Sequence, residues 1–387
     1  MDMEGYIDTL KAEAVELLKD MVAIPSPSFS EDAVCTFVSG WLSDKGVRHE
    51  RIGNNIIAEH ITDKGRPVLM MCAHMDTVPP SPEYSFDPYK PDYEAAAKEV
   101  EEKMKVEAAA KEGEKGYRKV RAEDIVAGLG SNDDGASVVA MIAAYRYFCG
   151  NDVNIVLVLT CEEERSGQGG MTAMWPLLQE KYGKGIYAIV GEPTGMKAAT
   201  SERGLLVIDA QAHGVSGHAA RNEGVNAIYI ALEDIGKLLD HKFAKVSPRM
   251  GNVNLNVTQI NAGTAHNVVP DSCTFVIDIR PTEQYTNEEI LNELQGICRS
   301  TLKPRNLKNR SSATVEHSPL TRTAERLGIE SFSSPTTSDW MRITCDAIKM
   351  GPGESSRSHR KDEYVFIKEI EEAIETYIRF IHEYALE

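Results

Sequence analysis

No stretch of this sequence approaches the roughly 20 consecutive apolar residues that cross a bilayer, which excludes a membrane-spanning helix. Positive charge is scarce: 42 Lys and Arg stand against 59 Asp and Glu, a net charge of −17. That balance argues against nucleic acid and anionic membranes as partners, while local arginines can still serve anionic small substrates. The seven cysteines, Cys35, Cys72, Cys149, Cys161, Cys273, Cys298 and Cys345, are odd in number and never spaced C-x-x-C. This excludes a disulfide framework or zinc ribbon and fits buried, reduced thiols. The first residues also lack a basic segment followed by an apolar one, so no export signal is expected and a cytoplasmic location is. Solenoid-length repeats and low-complexity tails are missing too.

What is present is a globular composition, 42% hydrophobic and 26% charged, on 387 residues, long enough for two domains. Helical spacing runs over about 6–22 and 30–46. Ile56–Ala58 and Val68–Ala73 read as strands, the latter a buried apolar run that ends in His74-Met75-Asp76-Thr77-Val78-Pro79. Residues i and i+2 of extended chain share a face, so Asp76 can hold one nitrogen of His74 while the other binds a metal. Between about 94 and 122 the pattern Glu94-Ala-Ala-Ala-Lys98 recurs as Glu107-Ala-Ala-Ala-Lys111. This repeat is one used for semi-rigid engineered linkers, and the segment reads as an inserted helix of designed character, a natural charged surface helix being the alternative.

The polar turn Gly128–Gly135 opens an apolar helix over 136–148. The strand Val153–Leu159 ends at Glu162-Glu163-Glu164, and after a helix over 171–182 the strand Ile186–Val190 ends at Gly191-Glu192. Strand, loop and helix thus alternate, with His or carboxylates at strand ends, where open α/β sheets place their sites. From about 204 to 316 the order changes to strand, helix, two strands, helix and a last strand near 312–317. This predicts an inserted α+β unit (βαββαβ) within an α/β domain formed by 1–203 and 317–387, its mixed, largely parallel sheet flanked by helices.

His74, Asp133, Glu164, Glu192 and His359 together suit zinc or a similar divalent ion. With Asp133, Glu164 and Glu192 as the anionic ligands, two divalent cations leave about one positive charge, which a hydroxide nucleophile balances. Neighbouring side chains of extended chain point apart, so Glu164 can bind metal while Glu163 acts on the water as general base.

The segments HMDTVPP (74–80), GSNDDG (130–135), CEEE followed by RSG (161–167), GEPT (191–194), GHAA (217–220), NVVPD (267–271) and SHRKDEYV (358–365) resemble, in order, those of the M20 metallopeptidases. The resemblance spans the chain except about 94–122 and is strongest to the deacylases of N-acyl amino acids. It implies that Asp133 bridges two metals, zinc with cobalt or manganese as alternatives. One metal is completed by His74 and Glu192, the other by Glu164 and His359. Asp76 orients His74, Glu163 is the acid/base, and Asp133-Asp134 is the place of a cis peptide. His218 reaches across a homodimer formed by the inserted unit to steady the oxyanion, and Asn267 and Arg280 hold the substrate. The implied activity is removal of a small acyl group from an N-acyl amino acid of the N-acetylornithine or N-acylcitrulline type, an arginine-biosynthesis-like step. Dipeptidase or desuccinylase activity, or a non-catalytic scaffold, are the alternatives. Two departures stand out: Asp133-Asp134-Gly135 replaces the more usual Asp-x-Lys-Gly, and 94–122 falls where relatives have a short connection.

Overall fold

A computed structural model of the chain describes residues 3–110, 119–221 and 223–386. Two compact units emerge, Met1–Thr200 with Thr314–Phe332 and Ser338–Glu387, and Ser201–Ala313 with Ser333–Thr337.

The first unit begins with α1 (Met3–Val22), α2 (Asp32–Asp44), β1 (His49–Ile52), β2 (Asn55–His60) and β3 (Val68–His74). It continues with α3 (Tyr93–Ala110), β4 (Ile125–Ala127), α4 (Ala136–Phe148), β5 (Ile155–Thr160), α5 (Met171–Tyr182), β6 (Ile186–Val190) and β7 (Ala198–Glu202). The second unit holds β8 (Leu206–His213), β9 (Gly217–His218), α6 (Ala227–Asp240), β10 (Asn254–Ala262), β11 (Val268–Val269), β12 (Ser272–Arg280), α7 (Asn287–Ile297), β13 (Thr301–Pro304) and β14 (Ser312–Ala313). The chain closes with α8 (Pro319–Arg326), β15 (Ser331–Ser334), β16 (Asp346–Lys349), β17 (Tyr364–Phe366) and α9 (Ile367–Tyr384).

At the centre of the first unit, β3 pairs in parallel with β5 (His74 opposite Thr160) and with β6 (Cys72 opposite Val190). β16 continues the parallel run on β6, while β1 and β2 extend the other side antiparallel. Both faces of β3 and β5 are covered, which is why these strands are apolar at every position. Leu69, Met71, Leu157 and Leu159 pack with Leu17 of α1, Ile142 of α4 and Tyr377 of α9. Met70, Cys72, Val156 and Val158 pack on the opposite face with Met174 and Trp175 of α5. Three parallel neighbours necessarily bring their C-terminal ends to one edge of the sheet. The polar residues that follow them therefore meet.

Helix α3 docks by one stripe, Ala96, Ala97 and Val100, against Val120, Ile125, Ala127 and Tyr364. One i,i+4 ion pair on its surface joins Lys105 Nζ to Glu101 at 3.0 Å. The continuous helix anticipated to about 122 is corrected: α3 is described to Ala110, and Ala122–Asp124 is a separate 3-10 turn. Lys111 of the second EAAAK copy and residues 112–118 lie outside the described residues.

The sheet of the second unit runs β10-β12-β8-β13, antiparallel throughout. Its last strand is Thr301–Pro304, not 312–317: β13 is a short edge element ended by Pro304, too brief to show an alternation in the sequence. β10 is the other edge, and α6 leaves Tyr229, Leu232 and Leu239 exposed. No helix among the described residues is long and apolar enough to cross a membrane.

Candidate active site

His74 is the last residue of β3, and its ring is fixed from below. Nδ1–H donates to the Asp76 carbonyl oxygen at 2.9 Å and lies 3.5 Å from the Asp76 carboxylate, so Nε2 points into the site. There it lies 3.2 Å from Asp133 Oδ1 and 4.0 Å from Glu163 Oε2. The Asp76 carboxylate has further partners besides the ring. It accepts the Glu163 N–H at 3.0 Å, the Glu164 N–H at 3.1 Å and the Ser28 hydroxyl at 2.7 Å. A single fully buried carboxylate thus ties the end of β3 to the loop after β5.

Asp133 follows the short strand β4, in the polar turn expected before the apolar helix. It sits in the wide turn Ser131–Gly135 that leads into α4, and the Asp133–Asp134 peptide is cis. Gly130 opens this turn at φ +80°, where a Cβ would stand 2.6 Å from Thr77 Cγ2, so no other residue fits. The turn is held from the far end of the chain: Glu363 Oε1 accepts the N–H groups of Asn132 and Asp133, both at 2.9 Å.

Glu163 and Glu164 part company by a turn rather than by strand alternation, with Glu162 at φ +59°. Glu164 Oε2 lies 2.8 Å from His359 Nε2, which is itself 3.8 Å from Asp133 Oδ2. Glu163 gathers instead with His74 and Glu192. The trios His74–Glu163–Glu192 and His74–Asp133–Glu164 each place their donor atoms within 4.8 Å of one another.

Burial first, and the neighbouring carboxylates second, push Glu163 and Glu192 well above the ordinary carboxylate range; burial raises Glu164 too. The hydrogen bond to Glu164 lifts His359 to about 9. Two imidazoles and four crowded carboxylates form a donor set that fits divalent first-row cations, whose charge relieves that mutual repulsion.

Two further buried carboxyls belong to this region and were not singled out from the sequence. Glu363, pushed by burial to about 8, follows His359 by four residues inside a motif from which only the histidine was taken. Asp339 accepts the Thr160 hydroxyl at 2.7 Å and is raised by burial to about 6. Its only signal was a polar Thr-Thr-Ser-Asp run on the returning chain.

In the second unit, His218 pairs across a short ribbon with Val268, and the Asn267 carbonyl accepts the Ala219 N–H at 3.1 Å. His218 and Asn267 are thus brought together, both exposed, with His218 Nδ1 accepting the Ala220 N–H. Arg280 is not with them. It ends β12, its guanidinium forked onto Asp278 at 2.8 and 3.2 Å. The ribbon adjoins the Ser272 end of that strand, Gly214 N–H donating to the Asp271 carbonyl at 2.7 Å. Eight residue steps of about 3.3 Å separate the two ends, roughly 26 Å.

Carboxylates and imidazoles gathered at the C-terminal edge of an α/β sheet are a donor set suited to divalent metal ions. Residues 200–306 match the family model described as the peptidase dimerisation domain of the M20 proteins. The chain is 24% identical to the acetylornithine deacetylase of Edwardsiella ictaluri, over 91% of this chain and 92% of that one. It is 25% identical to the succinyl-diaminopimelate desuccinylase of Wolbachia pipientis subsp. Culex pipiens, over 97% and 94%. In fold it is similar to the M20 family metallo-carboxypeptidase of Sulfolobus solfataricus, with a TM-score of 0.69 at 16% identity and all of both chains covered. The chain carries this dimerisation domain and is similar along its length to M20 enzymes, and it is a metal-dependent amide hydrolase.

Proposed function

We propose that the chain removes a small acyl group from the nitrogen of an N-acyl amino acid, of the N-acetylornithine or N-acylcitrulline type, as a two-metal homodimer. The observation that carries the reading is the meeting of His74, Asp133, Glu163, Glu164, Glu192 and His359 at one sheet edge. Asp133 lies between the two imidazoles, 3.2 Å from His74 and 3.8 Å from His359, and would be the ligand shared by two ions. His74 and Glu192 would help hold one, Glu164 and His359 the other. Two zinc ions, or cobalt or manganese, held there supply positive charge that polarises a carbonyl and acidifies water.

Glu163 takes the proton from the attacking water and returns it to the leaving amine. Burial and the neighbouring carboxylates raise its proton affinity, and its carboxylate lies 4.0 Å from His74 Nε2. Asp76 orients His74 and holds the Glu163–Glu164 backbone. Arg280 exchanges Asp278 for a substrate carboxylate, a bidentate match. His218 and Asn267 come from the partner subunit and steady the oxyanion and the substrate. The unpaired edge of β10 and the exposed Tyr229, Leu232 and Leu239 of α6 support dimerisation through the second unit. The buried free thiols Cys35, Cys72 and Cys161 fit a reducing, cytoplasmic setting.

Desuccinylation is the second reading, because the identity to the desuccinylase, 25%, is no lower than the 24% to the deacetylase. Elemental analysis, with hydrolysis of N-acetylornithine, N-acetylcitrulline, N-succinyl-diaminopimelate and dipeptides, chooses between them. Two ions per chain and chelator-sensitive deacetylation are expected. Replacing Glu163 by Gln is expected to lower kcat by roughly 10²- to 10⁴-fold with metal content unchanged. Full activity in Glu163→Gln, or no bound metal after zinc loading, refutes the assignment.

A further inference from the structure

His359 stands on a turn that does not hold itself. Both His359 and Asp362 have positive φ, +57° and +56°, a backbone region that L-residues rarely adopt. Outside the turn, Arg357 is anchored on Glu369 at 2.6 Å and Glu363 is buried beneath Asn132 and Asp133. Between those anchors, the His359 ring is half exposed and touches Glu164.

Beside the Ser85 contacts to Asp362, a charged restraint comes from α3. The buried stripe Ala96–Val100 continues to position 103 on the same helix face, three residues beyond Val100. Docking therefore carries the Lys103 ammonium to the turn. Lys103 Nζ lies 3.1 Å from Asp362 Oδ2, off the hydrogen-bonding direction and so an ion pair, and donates to the Lys361 carbonyl at 3.0 Å. The Asp362 side chain is 1% exposed, and its other oxygen accepts the Ser85 N–H and hydroxyl at 2.7 and 2.9 Å. Glu99, Lys103 and Val106 of α3 line, together with His359, Arg360 and Lys361, one cavity of about 610 Å³.

We propose that Lys103 is a positioning residue for His359, bracing the 359–362 turn from helix α3 through Asp362 and the Lys361 carbonyl. The inference rests on the reading of His359 as a metal ligand. It makes the helix that interrupts the family pattern part of the metal site's support, not a passive insertion.

The test is calorimetric titration of zinc into the chelated full-length protein, with cobalt absorption as a second reading of ligand geometry. In Lys103→Met the first zinc is expected to bind as in the parent and the second at least about tenfold more weakly, with an altered cobalt spectrum. Lys103→Arg, which keeps the charge and reach, is expected to restore both. Parent-like binding of two ions by Lys103→Met overturns the proposal, as does an equal loss in Lys103→Arg. His359→Ala is titrated alongside: if it still binds two ions as the parent does, the ligand reading of His359 fails, a result separate from either outcome at Lys103.

Discussion

The candidate centre is an accumulation of carboxyls that gain protons on folding, and this has a measurable sign. Burial raises Glu363 and Asp134 to about 8 from ordinary values of 4.5 and 3.8, and Asp339 to about 6 from 3.8. Between those limits the folded, metal-free chain binds protons that the unfolded chain has released, so stability falls as pH rises through the window. His359 acts in the same direction, its contribution complete below 6.5 and lost as pH rises through about 9. The chelated protein is therefore expected to melt at a lower temperature at pH 8 than at pH 6, and added zinc to recover more at pH 8. Scanning fluorimetry at the two pH values checks this; a chelated protein that melts higher at pH 8 contradicts it. The clustered residues His74, Glu163, Glu164 and Glu192 were legible in the sequence because each stands directly after an apolar run. Glu363 and Asp339 were not, because a buried carboxylate that serves backbone N–H groups or a threonine hydroxyl looks, in sequence, like any acidic residue in a loop.

Among the elements, those with a long period were readable and those with a short one were not. Helix α4 and strand β6 fall on their expected limits because every residue of each except Arg146 is apolar or facing a core. β13 has four residues, and nothing in Thr301-Leu302-Lys303-Pro304 separates it from a loop. The turn that carries Asp133 was legible for a different reason: a glycine-rich polar run between apolar segments marks a turn without any periodicity. For α3 the charge pattern was read and the docking was not, since three small residues, Ala96, Ala97 and Val100, make the contact. Val100 is fully buried, so Val100→Asp places an unpaired charge in that contact. The expected result is loss of amide-exchange protection across 93–110 while β3 and β5 stay protected. Unchanged protection in α3 rules out the described docking.

At the scale of the whole molecule, each unit has its own core and the candidate metal donors all come from the first. What the sequence conveyed here was the interruption of an α/β pattern by an alternating one. What it could not convey was that His218 and Asn267 share a ribbon, because residues 218 and 267 are far apart in the chain and meet only through the β9–β11 pairing.

The separation of roughly 26 Å between that ribbon and Arg280 bears on inheritance between chains. If each reaction uses Glu163 from one protomer and His218 from the other, the enzyme is a pair of half-shared sites, and two inactive chains can complement each other. Mixing Glu163→Ala with His218→Ala in equal amounts, unfolding and refolding together, gives mixed dimers in about half the population, each with one complete site. About a quarter of the parent activity should reappear from two preparations that have none, and failure to recover any would place both residues in the service of the same subunit.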